Sequence, residues 1–404
     1  MYLQNLELRN QKVLVRVDFN VPLDEDFQVS DDTRIQAALP TIQHILSVGG
    51  AVILMSHLGR PQKKLKADGS IDRDRFSLRH LVGHLSKVLG QEVQFVEDTI
   101  GEEVEALARN LKAGSVLLLE NTRFYEEEKK GDRLFAQALA NLADVYVNDA
   151  FGTVHRSHAS TCTVAEYFEY NKKGLGFLIM KELEEAQKLN NNPQRPFTAI
   201  VGGAKVSDKI LLLEKLLDNV DNILVGGGMA YTFWKAKGGQ IGNSLVELKH
   251  LDAANTILNK AIEKGVNIVL PTDSVVADAF DNNANIQQRK SDAIEDGWMG
   301  LDIGKEAQTT FSQLVAEAKT IFWNGPMGVF ELSNFAKGTE KIAEALVEAT
   351  EKGAFSVVGG GDSVSAINKL GKANAISHIS TGGGVVLKLL EQSVLPGIEA
   401  IKSK

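Results

Sequence analysis

Phe197-Thr-Ala-Ile-Val-Gly-Gly-Ala-Lys-Val-Ser-Asp-Lys-Ile-Leu-Leu-Leu213 is the stretch whose reading decides the fold. Ala199 to Val201 read as the end of a buried strand, apolar and bounded by turn residues. Gly202 and Gly203 break it. Ser207 and Asp208 lead into an apolar-periodic run that predicts a helix from Lys209 to Leu217. A strand, a glycine turn and a helix start form the usual anion site of an open α/β sheet. Backbone N–H groups point outward there, and glycine lets a phosphate approach. Lys205 and Lys209 are four apart. With a helix starting near Lys205 they would share one face, where like charges repel unless an anion lies between them. Taken singly each lysine is an ordinary solvated side chain. Beside a double glycine after a buried strand, the pair points to phosphate. The segment lacks the glycine spacing of a Walker A loop.

The chain has 404 residues, which predicts two domains. Its net charge of −8 argues against nucleic acid, so local clusters of Arg and Lys must hold any anion. Cys162 is the only cysteine, which precludes an intramolecular disulfide and fits a reducing compartment. The N-terminus carries no signal pattern, and no apolar run nears the roughly 18 residues of a membrane span. A cytoplasmic protein with no membrane partner is expected.

Working back from the central stretch, the first half alternates strand-like and helical runs, the pattern of a parallel sheet covered by helices. Leu14–Phe19, Ala51–Met55, Val93–Val96, Ser115–Leu119 and Val145–Val147 read as strands. Thr33–Leu39, Leu78–Leu89, Val104–Leu111 and Asp132–Leu142 read as helices. Polar and basic residues follow the strands: Asp18 and Asn20, His57 and Arg60, Arg123, and His155 and Arg156, with Arg34 at the first helix start. In an open α/β sheet ligands bind outside the carboxyl ends of the strands. One arginine there is a solvated loop residue more often than not. Four at matching positions read as a cradle for a small anion bearing phosphate and carboxylate, which guanidinium binds in bidentate fashion. Arg16 lies within the strand pattern and reads as structural. His80 and His84 lack the glutamate of a zinc motif, His155 and His158 lack partners at ligand spacing, and Cys162 reads as a buried small residue.

Gly174 to Leu189 predicts a long helix bridging two domains, stopped by Asn190-Asn-Asn-Pro-Gln-Arg-Pro196. Beyond it glycines follow the strands: Gly226-Gly-Gly228, Asn324-Gly-Pro-Met-Gly-Val-Phe-Glu331, Gly359-Gly-Gly-Asp-Ser363 and Gly382-Gly-Gly384. None fits the dinucleotide fingerprint. One cluster would be a tight turn. Repeated at one rim, glycines let backbone lie against a base or a phosphate chain. An arginine rim suited to a phospho-acid and a glycine rim with two lysines and Asp362, suited to a nucleotide with Mg²⁺, make phosphoryl transfer the natural chemistry.

Arg16-Val-Asp-Phe-Asn-Val-Pro22, Ser56-His-Leu-Gly-Arg-Pro61, Glu120-Asn-Thr-Arg-Phe124, Gly202-Gly-Ala-Lys-Val-Ser-Asp-Lys209, Trp323 to Glu331, Gly359-Gly-Gly-Asp362 and Ser380-Thr-Gly-Gly-Gly384 together resemble phosphoglycerate kinase, in order and over nearly the whole chain. The resemblance implies two doubly wound, Rossmann-like parallel-sheet α/β domains joined by a long helix and bending at a hinge. Residues 1–176 would bind phosphoglycerate, with the tail 391–404 packing back on them. Residues 177–192 would be the interdomain helix and 193–390 the nucleotide domain. The implied reaction is reversible transfer between 1,3-bisphosphoglycerate and ADP, giving 3-phosphoglycerate and ATP, by a monomer using Mg²⁺ as Mg-ATP or Mg-ADP. By resemblance the catalytic residues are Arg34, Lys205 and Lys209. Asp18, Phe19, Asn20, Arg34, His57, Leu58, Gly59, Arg60, Arg123 and Arg156 would hold the phosphoglycerate. Gly203, Ala204, Lys205, Lys209, Gly228, Asn324, Pro326, Gly328, Val329 and Glu331 would line the nucleotide site, with Glu331 on the ribose. Gly360, Gly361, Asp362 and Ser363 would meet the phosphates, Asp362 serving the metal. Ser363 replaces a common threonine, and Val385-Val386 a smaller, more polar pair near the hinge. The acceptor oxygen is already deprotonated, so no general base is expected. Two alternatives are a dinucleotide dehydrogenase, disfavoured by the missing fingerprint, and a non-catalytic two-domain phosphosugar-binding protein.

Overall fold

A computed structural model describes residues 1–382, 384–391 and 394–403. Gly383 of the last glycine cluster lies outside the described residues, as do 392, 393 and 404 of the tail. The chain divides into two compact units. The first runs from Met1 to Glu184 and takes the chain back from Val394; the second begins at Glu185. The helix Phe177–Asn190 carries the chain from one to the other.

The first unit is built on strands β1 (Lys12–Arg16), β2 (Ala51–Met55), β3 (Val93–Phe95), β4 (Val116–Leu118), β5 (Val145–Asn148) and β6 (Lys173–Leu175). They form one sheet in the order β3-β4-β2-β1-β5-β6, and every pairing is parallel. Both faces are covered, which is why β2 is buried at all its positions and reads as a continuous apolar run. The chain steps from β1 to one side and returns at β5 to the other. The loops after β1 and β5 therefore diverge and open a crevice at the carboxyl edge.

The second unit carries β7 (Phe197–Val201), β8 (Asn222–Val225), β9 (Gln240–Ile241), β10 (Asn267–Val269), β11 (Asp273–Ala277), β12 (Ile286–Lys290), β13 (Ala293–Ile294), β14 (Met299–Ile303), β15 (Thr320–Asn324), β16 (Phe355–Gly359) and β17 (His378–Ile379). Its main sheet has the order β10-β8-β7-β15-β16-β17, again parallel throughout. The switch point falls between β7 and β15. The quoted central stretch and Asn324-Gly-Pro326 thus leave the sheet side by side. An antiparallel β12-β11-β14 sheet and a β9–β13 pair are added between β8 and β15 in the chain; the sequence reading did not see them. Exposed and half-buried residues alternate along β12 without an apolar face, so it carries no strand periodicity in hydrophobicity.

Several boundaries differ from those expected. β1 ends at Arg16 rather than Phe19, because the Phe19 N–H donates to Ser56 Oγ (2.8 Å) instead of a neighbouring strand. The first helix runs through Pro40 to Ser47. Pro40 is exposed on its outer face, while Leu39, Thr41, Ile42 and Ile45 are buried on the other. Gly174 and Leu175 belong to β6, so the long helix begins at Phe177. The helix after the double glycine spans only Ile210–Leu216, with Lys209 at its N-cap and turns before it. Lys205 and Lys209 therefore do not share a helical face.

Candidate active site

In the first unit, short backbone and side-chain links fasten the loops at the carboxyl edge to one another. Asn20 Oδ1 accepts from Gly59 N (2.7 Å), and Asn121 Nδ2 donates to Leu58 O (2.8 Å) and Phe76 O (2.9 Å). Arg123 donates from Nη1 to Gly59 O (2.7 Å). Arg34, in the first turn of the Thr33–Ser47 helix, donates from Nη1 to Asp18 Oδ2 (3.0 Å) and Asn20 O (3.2 Å). Gly152 makes this possible: a Cβ there would sit 2.3 Å from Asp18 Oδ2. Asp18, Asn20, His57, Gly59, Arg34 and Arg123 are thereby gathered into one linked rim. Arg156 follows β5 and is half-buried, with Nε on His155 Nε2 at 3.2 Å; Arg60 is exposed. Phe19 and Leu58 have their side chains in the core, leaving only backbone to face a ligand.

The rim is strongly positive. Burial and then the charges of Arg16, Arg123, Arg156 and Arg34 hold the His57 imidazole well below its ordinary pKa, so it is neutral. Burial, then Arg16 and Arg156, brings Arg123 down to about 10, which still leaves it charged at neutral pH. Burial and then Arg60 lower Arg156. Cations crowded together with too few carboxylates among them wait for an anion. Lys129 and Lys63 join this field, since Lys129 is lowered by burial and then by Arg123, Lys63, Arg156 and Arg60. The sequence reading missed both: Lys129 stands in Glu126-Glu-Glu-Lys-Lys130, which looks like a solvated charge run, and Lys63 in the polar stretch that begins at Gln62. It also read Arg16 as only structural, whereas Arg16 Nη2 lies 3.1 Å from His57 Nδ1.

In the second unit the switch point is made of backbone packed on backbone. A Cβ on Gly202 would lie 2.1 Å from Pro326 O, and one on Gly325 would lie 2.3 Å from Gly202 O. Gly227, at φ +67°, has Gly203 O 2.6 Å from where its Cβ would be. Gly203 N donates to Pro326 O (3.1 Å), and Met229 N to Gly203 O (3.0 Å). Lys209 Nζ donates to Asn324 Oδ1, while Asn324 Nδ2 donates to Gly359 O (2.7 Å), which fixes the amide. Burial lowers the Lys209 ammonium, against the opposing pull of Asp208, Asp362 and Glu391. Gly360 (φ +91°) caps the helix Gly361–Lys369, with Asp362 exposed in its first turn. Ser363 is buried, and its Oγ accepts from Gly325 N (2.6 Å). Lys205, Ala204, Gly361 and Glu331 are exposed and Val329 half-buried; Gly228, beside Leu245 and Ala204, is half-buried, and Pro326 and Gly328 are buried. The structure thus brings Gly203, Lys209, Asn324, Pro326, Gly360 and Ser363 together. Among the described residues no group of three or more His, Cys, Asp or Glu could hold a metal.

Residues 3–393 match the family model for phosphoglycerate kinase. The chain belongs to the phosphoglycerate kinase family. A phosphoglycerate kinase of Porphyromonas gingivalis is 48% identical over 425 residues, covering 100% of both chains. A cytosolic one from Nicotiana tabacum is 52% identical, covering 99% of this chain and 97% of its own. A solved phosphoglycerate kinase from Coxiella burnetii superposes with a TM-score of 0.86 at 39% identity, covering 100% of this chain and 98% of that one. The Pyrococcus horikoshii enzyme gives 0.83 at 30%, with the same coverage. As a phosphoglycerate kinase the chain is a glycolytic phosphotransferase. It moves a phosphoryl group between 1,3-bisphosphoglycerate and ADP to give 3-phosphoglycerate and ATP. The binding-only alternative is not favoured. Phosphoglycerate kinases named cytosolic and chloroplastic both stand among the relatives. No helix among the described residues is long and apolar enough to cross a membrane.

Proposed function

We propose that the first unit, with the tail, binds 3-phosphoglycerate and 1,3-bisphosphoglycerate at its arginine rim, and that the second binds ADP and ATP, as their Mg²⁺ complexes, at its glycine rim. The observation that carries this is the set Arg34, Arg123 and Arg156 around a neutral His57, all fed from the carboxyl edge of one parallel sheet. Arg34 is the one of these that already spans two partners, Asp18 and Asn20, so its guanidinium is aimed before substrate arrives.

Asp362 is exposed in the first turn of its helix, where the dipole favours an anion. A carboxylate there would repel nucleotide phosphates unless a cation lay between. One protein carboxylate completed by phosphates is how Mg²⁺ is usually held, so Asp362 fits that metal. Bound there, Mg²⁺ would supply charge neutralisation on the phosphates. Lys209, positioned by Asn324, and the exposed Lys205 would neutralise charge on the moving phosphoryl, and Arg34 would do so on the phosphoglycerate side. The acceptor is a carboxylate or a phosphate oxygen with no proton to remove, so these residues catalyse by placement and charge alone. The helix Phe177–Asn190 serves as the interdomain link. We read the enzyme as a cytoplasmic monomer with no nucleic-acid or membrane partner.

Purified protein mixed with 3-phosphoglycerate, ATP, Mg²⁺ and an excess of the downstream dehydrogenase tests the proposal through NADH oxidation. Turnover that stops with chelator and returns with Mg²⁺ is expected. A folded sample that binds both ligands without turnover refutes the assigned catalytic roles.

A further inference from the structure

His57 lies two residues past β2 and is only 3% exposed. Its Nδ1 meets two groups with opposite demands. Arg16 Nη2 lies 3.1 Å away, and Asp18 Oδ1 lies 4.0 Å away. A guanidinium has five N–H donors and no acceptor, so a nitrogen within hydrogen-bond distance of it must present a lone pair. The carboxylate would favour a proton on Nδ1, but at 4.0 Å it is out of hydrogen-bond reach. Its oxygens are also engaged, Oδ2 by Arg34 Nη1 at 3.0 Å and Oδ1 by Asn20 N at 3.3 Å.

Arg16 cannot swing away. It is fully buried at the end of the central strand β1. Its Nε donates to Ser160 Oγ (2.8 Å), and the Ser160 hydroxyl donates in turn to Oε1 of the buried Glu128 (2.6 Å). Its Nη1 donates to Val17 O. The groups acting on the ring are Arg16 and Asp18 from the β1 segment, Arg34 from the first helix, Arg123 from the loop after β4 and Arg156 from the loop after β5. Four of the five are cations. Burial first, and those charges second, oppose a second proton on the ring. With Nδ1 taken by Arg16, Nε2 is the ring nitrogen left for a ligand.

We propose that Arg16 is a positioning residue that holds His57 as the neutral tautomer with its proton on Nε2, so that His57 offers the phosphoglycerate one directed hydrogen bond and no charge. This rests on the reading of the arginine rim as the phosphoglycerate site. Charge recognition then falls to arginines, which stay ionised across the physiological range, and His57 contributes direction only.

The first test is a long-range proton–nitrogen NMR spectrum of the ligand-free wild-type protein labelled with ¹⁵N-histidine, with the His57 signal identified by its loss in H57Q. The expected signal is a neutral ring, bare at Nδ1 and protonated at Nε2, unchanged between about pH 5.5 and 8.5. A proton on Nδ1, or a titration inside that range, overturns the proposal whatever the substrate is. The second test is the KM for 3-phosphoglycerate in R16M and R16K, divided by the wild-type KM at each pH so that the substrate's own titration cancels. R16M should raise KM about tenfold across the range and move part of the His57 proton from Nε2 to Nδ1, while kcat should change by less than about threefold. R16K keeps a donor-only cation and should restore both the KM and the tautomer. An R16M spectrum still wholly protonated at Nε2, or no rescue by R16K, refutes the role. If R16M does not fold, the wild-type spectrum and R16K still decide. Wild-type turnover with a protonated Nδ1 would refute this inference alone. Failure of the folded protein to bind 3-phosphoglycerate would refute the site reading and leave the tautomer standing.

Discussion

Asp149→Asn should make the protein more stable above neutral pH and leave it little changed in acid. Asp149 is fully buried just after β5. Its Oδ1 accepts from Leu178 N (3.0 Å) and Ile179 N (3.3 Å), the opening amides of the Phe177–Asn190 helix, while Oδ2 has no hydrogen-bond partner. Burial pushes its pKa up from 3.8 to about 7, against the opposing pull of the Thr41 hydroxyl and these two amides, which favour the carboxylate. Between those two values the folded protein keeps a proton that the unfolded chain has released. Stability therefore falls as pH rises through the window from about 4 to about 7, and the full penalty is present above it. A shift of about 3 units at 1.36 kcal/mol each sets a ceiling of about 4 kcal/mol. Asparagine keeps the accepting oxygen and cannot ionise, so it removes the penalty. Asp302, also raised to about 7 by burial, is common to both proteins and cancels in the comparison. Urea unfolding followed by far-UV circular dichroism at about pH 5 and pH 8 would measure this. An advantage of the variant that is equal at the two pH values, to within about 0.5 kcal/mol, would refute the reasoning.

Arg34→Ala and Lys209→Ala should each lower kcat by about a hundredfold or more with an unchanged circular dichroism spectrum; a turnover number within about threefold of wild type would contradict the roles given them. Gly152→Ala puts a Cβ where Asp18 Oδ2 now sits, at 2.3 Å, and so displaces the carboxylate that holds Arg34. KM for 3-phosphoglycerate should rise about tenfold in a folded protein, and a wild-type KM would show that Asp18 does not set the arginine's place.

The parallel sheets were legible because strands buried on both faces leave continuous apolar runs, as in Ala51–Met55 and Phe197–Val201. The rims were legible because the residues after those strands are chemically unlike the strands themselves. What escaped depends on contacts far apart in the chain. No local pattern shows that Ser56 takes the Phe19 N–H and ends β1 early, or that Thr41 and Ile42 carry a helix past Pro40. β12, at the edge of a small sheet, has no apolar face to announce it. The shared face expected for Lys205 and Lys209 failed because the helix starts after both. Lys209 gains its orientation from Asn324, 115 residues further on. Arg16 looked structural for the same reason: its partners His57 and Ser160 are distant in sequence.

The first unit is closed by a segment distant from it in sequence. The helix Pro396–Lys402 sits against the loop that carries Arg156, with Gly397 N donating to Val154 O (2.9 Å) and a Cβ on Gly397 meeting Thr161 at 2.9 Å. The first unit is thus discontinuous in sequence, with the second set into it as one long insertion. Met1–Glu184 made alone would carry every strand of its sheet and every arginine of the rim, yet lack the helix that braces the Arg156 loop.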